Sequence, residues 1–231
     1  MTALYRMAKV VVGAPLRGVL RPRAEGLENI PRSGPAILAC NHLSVSDHLY
    51  LPLVVPRPIA FMAKAEYFMQ PGIKGWARGA LIKGMGQIAV DRSGGRAGVD
   101  ALKRALPVLQ NGGLHGIFPE GTRSPDGRLY KGRTGVARLA LEAKVPVIPI
   151  GLIGTDVAQP IGKAMPDPRA EVIIKIGKPL YFGRYEGMER DKHIVRAVTD
   201  QVMDEIRRLT GQEYVDRYAP RNTSKGDTGG E

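Results

Sequence analysis

The sequence predicts an α/β domain in which helices flank a mixed, largely parallel sheet. Short apolar runs suited to buried strands alternate with segments of helical spacing, and this alternation is typical of α/β folds. The chain has 231 residues, which is near the upper end of one ordinary domain. Apolar residues make up 43% of it, enough to bury a sizeable core. No internal repeat or break in composition indicates a second domain.

Six apolar runs are predicted to be strands, at residues 36–39, 59–63, 86–90, 114–118, 145–152 and 172–176. Helices are predicted over residues 96–110, 134–143 and 190–210. The last of these is amphipathic, with Ile194, Val198, Val202 and Ile206 four positions apart. Residues 25–35 are rich in Gly and Pro and are predicted to form a connection.

The two ends of the chain differ from the middle. Residues 1–23 mix apolar side chains with five Lys or Arg and contain no acid. Such a segment can lie in a lipid headgroup layer, or it can pack on the domain as a helix with its charges solvated. No apolar run approaches the ~20 residues of a membrane-spanning helix. We therefore predict an N-terminal amphipathic helical segment over residues 1–25, the α/β domain over 26–210, and a disordered tail over 211–231.

The charge balance indicates an anionic partner. Lys and Arg total 34 against 22 Asp and Glu, a net charge of +12. Nucleic acid, a membrane surface and phosphorylated substrates all fit this excess, but aromatic residues at 6% offer little for base stacking. The one cysteine, Cys40, excludes an internal disulfide and a multi-cysteine metal site. We predict that Cys40 is a core residue rather than a nucleophile, and that the protein holds no metal.

A polar segment, residues 41–47, directly follows the first predicted strand. His42 lies where the chain leaves the core, and Asp47 could accept a hydrogen bond from one of its ring nitrogens. That bond would fix the tautomer and leave the other nitrogen as a general base. Residues five apart lie about 140° apart around a helix, so the pairing requires a turn or an irregular helix start. The alternative is that His42 caps the strand and Asp47 is the N-cap of the next helix.

A second polar segment, Phe118-Pro119-Glu120-Gly121-Thr122-Arg123-Ser124, follows another predicted strand. Backbone amides in such a loop, with an arginine beside them, suit a phosphate oxyanion. The same residues also fit an ordinary surface turn with a Glu–Arg pair. Arg92 ends a third strand and Lys131 precedes a helix, so these cations could converge on the same phosphate.

Four segments together resemble a known family. Asn41-His42-x4-Asp47, Gly86-x-Ile88-x3-Arg92, Phe118 to Ser124 and Val145-Pro146-x2-Pro149 occur in this order. They resemble the four motifs of the glycerolipid acyltransferases that acylate lysophosphatidic acid, the 1-acylglycerol-3-phosphate O-acyltransferase family. Residues 26–31 are similar to the family's lead-in. Ala89 departs from the larger apolar residue that the family more often has there, which bears on packing or acceptor shape.

The resemblance implies a role for each matching residue. His42 is the general base that takes the proton of the acceptor hydroxyl, and Asp47 orients it. The glycerol-phosphate site is implied to comprise Arg92, Glu120, Gly121, Thr122 and Arg123, with Lys131 as a further phosphate contact. Pro149 is implied to shape the pocket near the acyl chain. No cofactor is implied besides acyl-CoA or acyl carrier protein as the co-substrate.

The resemblance also implies an enzyme of phospholipid biosynthesis. A fatty acyl group would pass from the thioester donor to the free hydroxyl of a lysophospholipid, 1-acylglycerol-3-phosphate, giving phosphatidic acid. Residues 26–210 would be the glycerolipid acyltransferase domain. Residues 1–25 would contact an anionic membrane surface, with the protein peripheral or monotopic on the cytoplasmic face of the cell membrane.

Three other functions stay open. One is the same chemistry on glycerol 3-phosphate, another lysophospholipid or a glycolipid. Another is a membrane-bound scaffold without activity, against which the presence of His42 and Asp47 argues. The third is a non-catalytic basic module that binds nucleic acid. The few aromatic residues and the arginines at strand ends argue against it, so we predict no nucleic acid partner.

Overall fold

The structure is a computed structural model that describes residues 9–64, 88–90 and 97–220. Its strands are β1 (Arg23–Glu25), β2 (Ala36–Cys40), β3 (Ile59–Lys64), β4 (Ile88–Val90), β5 (Leu114–Ile117), β6 (Leu129–Tyr130), β7 (Val147–Ile153), β8 (Ile173–Ile176) and β9 (Tyr214–Val215). Its helices are α1 (Ala14–Leu20), α2 (Asp47–Val54), α3 (Ala97–Gln110), α4 (Gly135–Ala143), α5 (Thr155–Ala158) and α6 (Lys192–Thr210).

Strand β2 lies at the centre of a seven-stranded sheet with the order β1-β8-β7-β2-β5-β3-β4. The five strands from β7 to β4 are mutually parallel. Strand β8 pairs antiparallel with β7, and β1 pairs parallel with β8. The prediction of one α/β domain with a mixed, largely parallel sheet flanked by helices is therefore confirmed.

Both faces of β2 are buried, which explains its uninterrupted apolar sequence. Leu38 and Cys40 point into one core cluster, which includes residues of α2. Ile37 and Ala39 point into the other, formed with α3, α4 and α6. Cys40 is a fully buried free cysteine, and burial raises the pKa of its thiol. Its prediction as a core residue is confirmed.

The C-terminal boundary predicted at residue 211 is wrong. Strand β9 pairs in parallel with β6, and Ala219 is buried, so residues 211–220 belong to the folded domain. Two-residue strands carry no periodicity, which explains why the sequence did not reveal them. The rest of the predicted tail, residues 221–231, lies outside the described residues.

Residues 9–20 of the predicted N-terminal segment are helical, as a π-helical turn (Lys9–Gly13) followed by α1. Residues 23–25 form β1, which pairs with β8 in the sheet, so the boundary predicted between residues 25 and 26 is wrong. Helix α1 buries Leu20 and leaves Val19 exposed, while residues 1–8 lie outside the described residues. Among the helices that the structure describes, none combines the length and the hydrophobicity needed to cross a bilayer.

An aromatic stack connects the core to the end of β2. Gly116 on β5 leaves room for the ring of Phe61, because a Cβ at Gly116 would lie 2.2 Å from Phe61 Cε1. The Phe61 ring stacks on Phe118, with 5.6 Å between centroids. Phe118 in turn stacks on His42 at 4.0 Å. The position of the His42 ring therefore depends on a glycine in the core.

We expect Gly116→Ala to lower the free energy of unfolding by about 1–3 kcal/mol, because an added methyl group overpacks the core. Gly18→Ala is the matched control, since nothing lies within 4 Å of a Cβ at that site on α1. Urea unfolding of both variants measures the effect. Equal stability of the two variants would contradict the steric role of Gly116.

Candidate active site

The candidate site lies at the edge of the sheet where the parallel strands β2, β5 and β7 end, the usual position of sites in such sheets. His42 joins the two polar segments that the sequence singled out. Its main-chain N–H donates to Glu120 Oε2 at 2.9 Å, and its carbonyl oxygen accepts from the Ser124 N–H at 2.7 Å. Residues 41–47 and 118–124 therefore form one structural unit.

His42 and Asp47 are in direct contact. His42 Nδ1 lies 2.8 Å from Asp47 Oδ2, and the same oxygen accepts the main-chain N–H groups of Leu43 and Ser44 at 2.8 and 2.9 Å. The Asp47 side chain is fully buried, whereas 13% of the His42 side chain is exposed. Because a carboxylate only accepts, the contact assigns a proton to Nδ1, and in the neutral ring Nε2 then carries the free lone pair. This geometry suits a general base.

The turn that the sequence required between these two residues is present. Asp47 is the first residue of α2, and its main-chain N–H donates to Ser44 across the turn. The N-cap residue is Ser46, and the Asp47 carboxylate reaches back toward His42. The alternative in which Asp47 is the N-cap of α2 is therefore wrong.

Asn41 has a structural role that the sequence did not assign. Its Oδ1 accepts the Leu152 N–H at 2.7 Å, and its Nδ2 donates to the Leu152 carbonyl at 2.9 Å and to Gln212 Oε1 at 3.0 Å. The side chain thus attaches the residue before His42 to strand β7. In the sequence, the signal for this role was a polar residue directly after an apolar strand.

Glu120 uses both carboxylate oxygens to bind main chain. Oε2 accepts from His42, and Oε1 accepts the Tyr130 N–H at 2.9 Å. The residue is 1% exposed. Burial raises the pKa of Glu120 to about 7 and the charge of Asp47 adds to this, although the two amide bonds lower it. In this position Glu120 orients the loop at His42, and its predicted phosphate contact stays a prediction.

The predicted phosphate loop turns at Gly121. Its φ of +77° is a conformation that side chains rarely adopt, and its N–H donates to Phe118 at 3.0 Å. Thr122 and Arg123 follow, both half-buried, directly before the residue that binds the His42 carbonyl. The loop therefore brings a hydroxyl and a guanidinium into the segment bonded to His42.

Arg133, which follows β6, contacts this loop and was not singled out from the sequence. Its N–H donates to Pro119 at 2.7 Å, and its side chain packs on Gly121, where a Cβ would lie 2.9 Å from Arg133 Cδ. The guanidinium also lies 5.0 Å from the ring centroid of Tyr218. Both neighbours are distant in sequence, so no local pattern marked Arg133.

The remaining predicted site residues are placed differently. Lys131 Nζ lies 2.8 Å from Asp216 Oδ1, and that hydrogen bond raises the pKa of Lys131. Pro149 lies inside β7, where its register partner is Ala39 on β2. It is on the opposite face of the sheet from Phe61. Arg92 lies outside the described residues. The phosphate roles of Lys131 and Arg92 and the acyl-pocket role of Pro149 stay predictions.

The raised pKa of Glu120 predicts a pH effect on stability. A carboxyl with a higher pKa in the folded than in the unfolded state stabilises the fold below its unfolded pKa, and this contribution is lost as the pH rises through the folded value. We expect the unfolding free energy of wild type, relative to Glu120→Gln, to fall between pH 4.5 and 7.5. Each unit of a pKa shift corresponds to about 1.4 kcal/mol.

Urea unfolding at pH 4.5, 6 and 7.5 measures this difference. The matched control is Glu25→Gln on strand β1, where the side chain is exposed, and the pH effect of Glu120→Gln is measured relative to it. A flat difference for Glu120→Gln would contradict the proposed burial of the charge.

Comparison with known proteins gives consistent matches. A profile of the family described as Acyltransferase matches residues 21–153, more than half of the chain. The chloroplastic 1-acyl-sn-glycerol-3-phosphate acyltransferase LPAT1 of Arabidopsis thaliana is 38% identical over 158 residues, which are 68% of this chain and 43% of that protein. The 1-acyl-sn-glycerol-3-phosphate acyltransferase of Bacillus subtilis strain 168 is 28% identical over 184 residues, 79% of this chain and 84% of that protein.

A solved structure is also similar. The crystal structure of the 1-acyl-sn-glycerophosphate (LPA) acyltransferase PlsC from Thermotoga maritima matches with a TM-score of 0.62 and 30% identity, covering 87% of this chain and 79% of that one. This chain therefore spans most of the length of these two bacterial proteins. It spans less than half of the length of the plant relative.

Proposed function

Since this chain belongs to the Acyltransferase family, we propose that it moves a fatty acyl group from an acyl thioester to the free hydroxyl of 1-acylglycerol-3-phosphate, giving phosphatidic acid in phospholipid biosynthesis. The observation that carries the proposal is the 2.8 Å contact between His42 Nδ1 and the buried Asp47 carboxylate. The names of the similar proteins support the choice of acceptor.

In the proposed reaction, the His42 ring moves one proton. Nε2 takes the proton of the acceptor hydroxyl while the oxygen attacks the carbonyl carbon of the thioester. The tetrahedral intermediate then collapses, the C–S bond breaks, and the thiolate takes the proton from the His42 imidazolium. Asp47 stabilises that imidazolium through Nδ1–H. The thioester is already activated, so no covalent enzyme intermediate is required.

The acceptor phosphate is proposed to bind at residues 121–123. The loop combines an exposed glycine turn, the Thr122 hydroxyl and the Arg123 guanidinium, and charge-assisted hydrogen bonds from arginine suit phosphate. Its attachment to the His42 main chain supports this placement, because the acceptor's phosphate and hydroxyl lie in one small molecule. The donor is proposed to be acyl-CoA or acyl carrier protein.

We further propose that the protein acts at the cytoplasmic face of the cell membrane as a peripheral or monotopic protein. The net charge of +12 favours an anionic lipid surface. The π-helical turn Lys9–Gly13 exposes Val11, and helix α1 exposes Arg17 and Val19, as expected of an amphipathic segment in a headgroup layer.

We expect His42→Ala to lower kcat by about 10²- to 10⁴-fold, the usual contribution of a general base. Transfer from acyl-CoA to lysophosphatidic acid, followed by mass spectrometry of the product, measures this. His193→Ala is the control. His193 lies in the first turn of α6, and the other end of that helix lies near Asn41, so His193 is at the opposite edge of the sheet from His42.

The acceptor is tested in the same assay with a panel of glycerol 3-phosphate, other lysophospholipids and a glycolipid. Highest kcat/KM for 1-acylglycerol-3-phosphate supports the proposal. Unchanged turnover of every accepted substrate by His42→Ala would remove His42 from the mechanism.

Arg123→Gln tests the phosphate site separately. Hydrogen bonds to charged groups contribute about 1.5–3 kcal/mol, so we expect KM for the phosphorylated acceptor to rise about 10- to 100-fold, with a smaller change in kcat. A monoacylglycerol acceptor without phosphate should be used equally by variant and wild type. Arg190→Gln, directly before α6, is the control substitution, and an equal loss with both acceptors would argue against a phosphate contact.

A further inference from the structure

A group of exposed apolar side chains lies beside the candidate active site. It comprises Val45 in the segment after β2 and Val157, Ile161 and Met165 in the segment after β7, and we call it the apolar rim. Val157 is 69%, Ile161 56%, Met165 73% and Val45 55% exposed. Since β2 and β7 are parallel neighbours, both segments leave the sheet at the edge where His42 lies.

Hydrogen bonds attach the apolar rim to the segment that carries His42. Ser44 Oγ donates to the Gln159 carbonyl at 2.7 Å, and Gln159 Nε2 donates to the Lys163 carbonyl at 2.9 Å. The Asp167 N–H donates to Ala158 at 2.8 Å. These bonds attach the apolar rim to Ser44, which lies two residues after His42. The exposed apolar side chains therefore belong to an ordered segment and not to a loose chain.

A tight turn exposes Ile161. The Lys163 N–H donates to the Pro160 carbonyl at 3.1 Å, which closes a four-residue turn with Ile161 and Gly162 at its centre. Gly162 has a φ of +95°, as a turn of this kind requires at its third position. An isoleucine at the centre of a surface turn gains no burial within the domain.

The charges around the apolar rim are balanced, whereas the protein as a whole is basic. Lys163 lies in the turn itself, and Arg169 pairs with Asp167 at 3.2 Å. The acids Asp156 and Asp167 balance these two locally, but the chain as a whole carries +12. Long-range attraction to anionic lipid therefore comes from the whole protein, and the rim supplies apolar contact.

We propose that the apolar rim inserts into the headgroup layer of an anionic bilayer and sets the candidate active site against the membrane surface. This inference rests on the proposed function for its purpose, since a single-tailed lipid acceptor would then pass from the bilayer to His42 without crossing water. A bilayer is the occupant that fits best, because the rim consists of four separate exposed apolar side chains on a protein with a net charge of +12. The N-terminal segment reaches the same edge, where the Arg23 N–H donates to Val172 at 2.9 Å.

The first test removes apolar side chains without changing charge. The double variant Ile161→Ser/Met165→Ser is compared with Tyr181→Ser/Met188→Ser, which removes two exposed apolar residues, 74% and 44% exposed. Leu180 bridges to Val147, the first residue of β7. Tyr181, the next residue, therefore lies at the edge of the sheet opposite the apolar rim. Sedimentation with vesicles of phosphatidylcholine and phosphatidylglycerol gives the partition coefficient.

We expect the rim variant to lose about tenfold or more in partitioning, because amphipathic binding follows the buried apolar area. The control variant should stay within about twofold of wild type. Turnover of a short-chain, water-soluble acceptor should be the same in the rim variant and wild type, which shows that the rim variant is folded. Unchanged partitioning of the rim variant overturns the proposal.

The second test places a reporter on the apolar rim. Cys40 is the one cysteine and is fully buried, so an environment-sensitive fluorophore on Ile161→Cys labels the turn selectively. We expect a blue-shifted emission on adding the anionic vesicles, and none for the same label on Tyr181→Cys.

A label at position 161 that stays unchanged on vesicle-bound protein overturns the proposal, as does a label that responds to an acyl carrier protein and not to vesicles. Neither membrane measurement requires acyl transfer. If wild type acylated no acceptor, the proposed function would be wrong, whereas the two membrane measurements would still test this inference.

Discussion

Three consecutive main-chain N–H groups, those of His42, Leu43 and Ser44, donate to two buried carboxylates. His42 binds Glu120, and the next two residues bind Asp47. The path of the chain after the central strand is set by these bonds, and the His42 side chain takes its direction from that path. Glu120 accepts one of these bonds, whereas Asp47 Oδ2 accepts the other two and contacts the His42 ring. The candidate site therefore depends on two acidic side chains buried inside a strongly basic protein.

Burying these charges opposes folding, and the two carboxylates differ in how far they are compensated. Asp47 Oδ2 accepts from two amides and the His42 ring, and its position at the start of α2 favours a negative charge. Glu120 accepts one amide on each oxygen, and its pKa is still raised to about 7 by burial. Burial of Glu120 therefore fixes the geometry of the loop but lowers the stability of the fold near neutral pH. Shifted pKa values of this kind are common at functional sites.

The sequence predicted the features that local pattern encodes. The buried strands β2, β5 and β7 appear as apolar runs, and the polar segments after β2 and β5 contain His42 and Asp47 in the first and Glu120 in the second. It did not predict which main-chain groups Glu120 binds, because those partners lie 78 and 10 positions away. Contacts between a side chain and a distant backbone leave no periodic signal. For the same reason Asn41 and Arg133 were not assigned, and Lys131 was assigned to phosphate although Asp216 lies against it.

The hydrogen bond between Asn41 and Gln212 joins residues 171 positions apart, and Gln212 Nε2 also binds the Gly127 carbonyl at 2.5 Å. During synthesis the ribosome releases residue 41 long before residue 212. The segment that carries His42 consequently lacks one of its attachments until nearly the whole domain has been made. Contacts of such separation form late and slow folding, so this site is completed only after α6 has docked on the sheet.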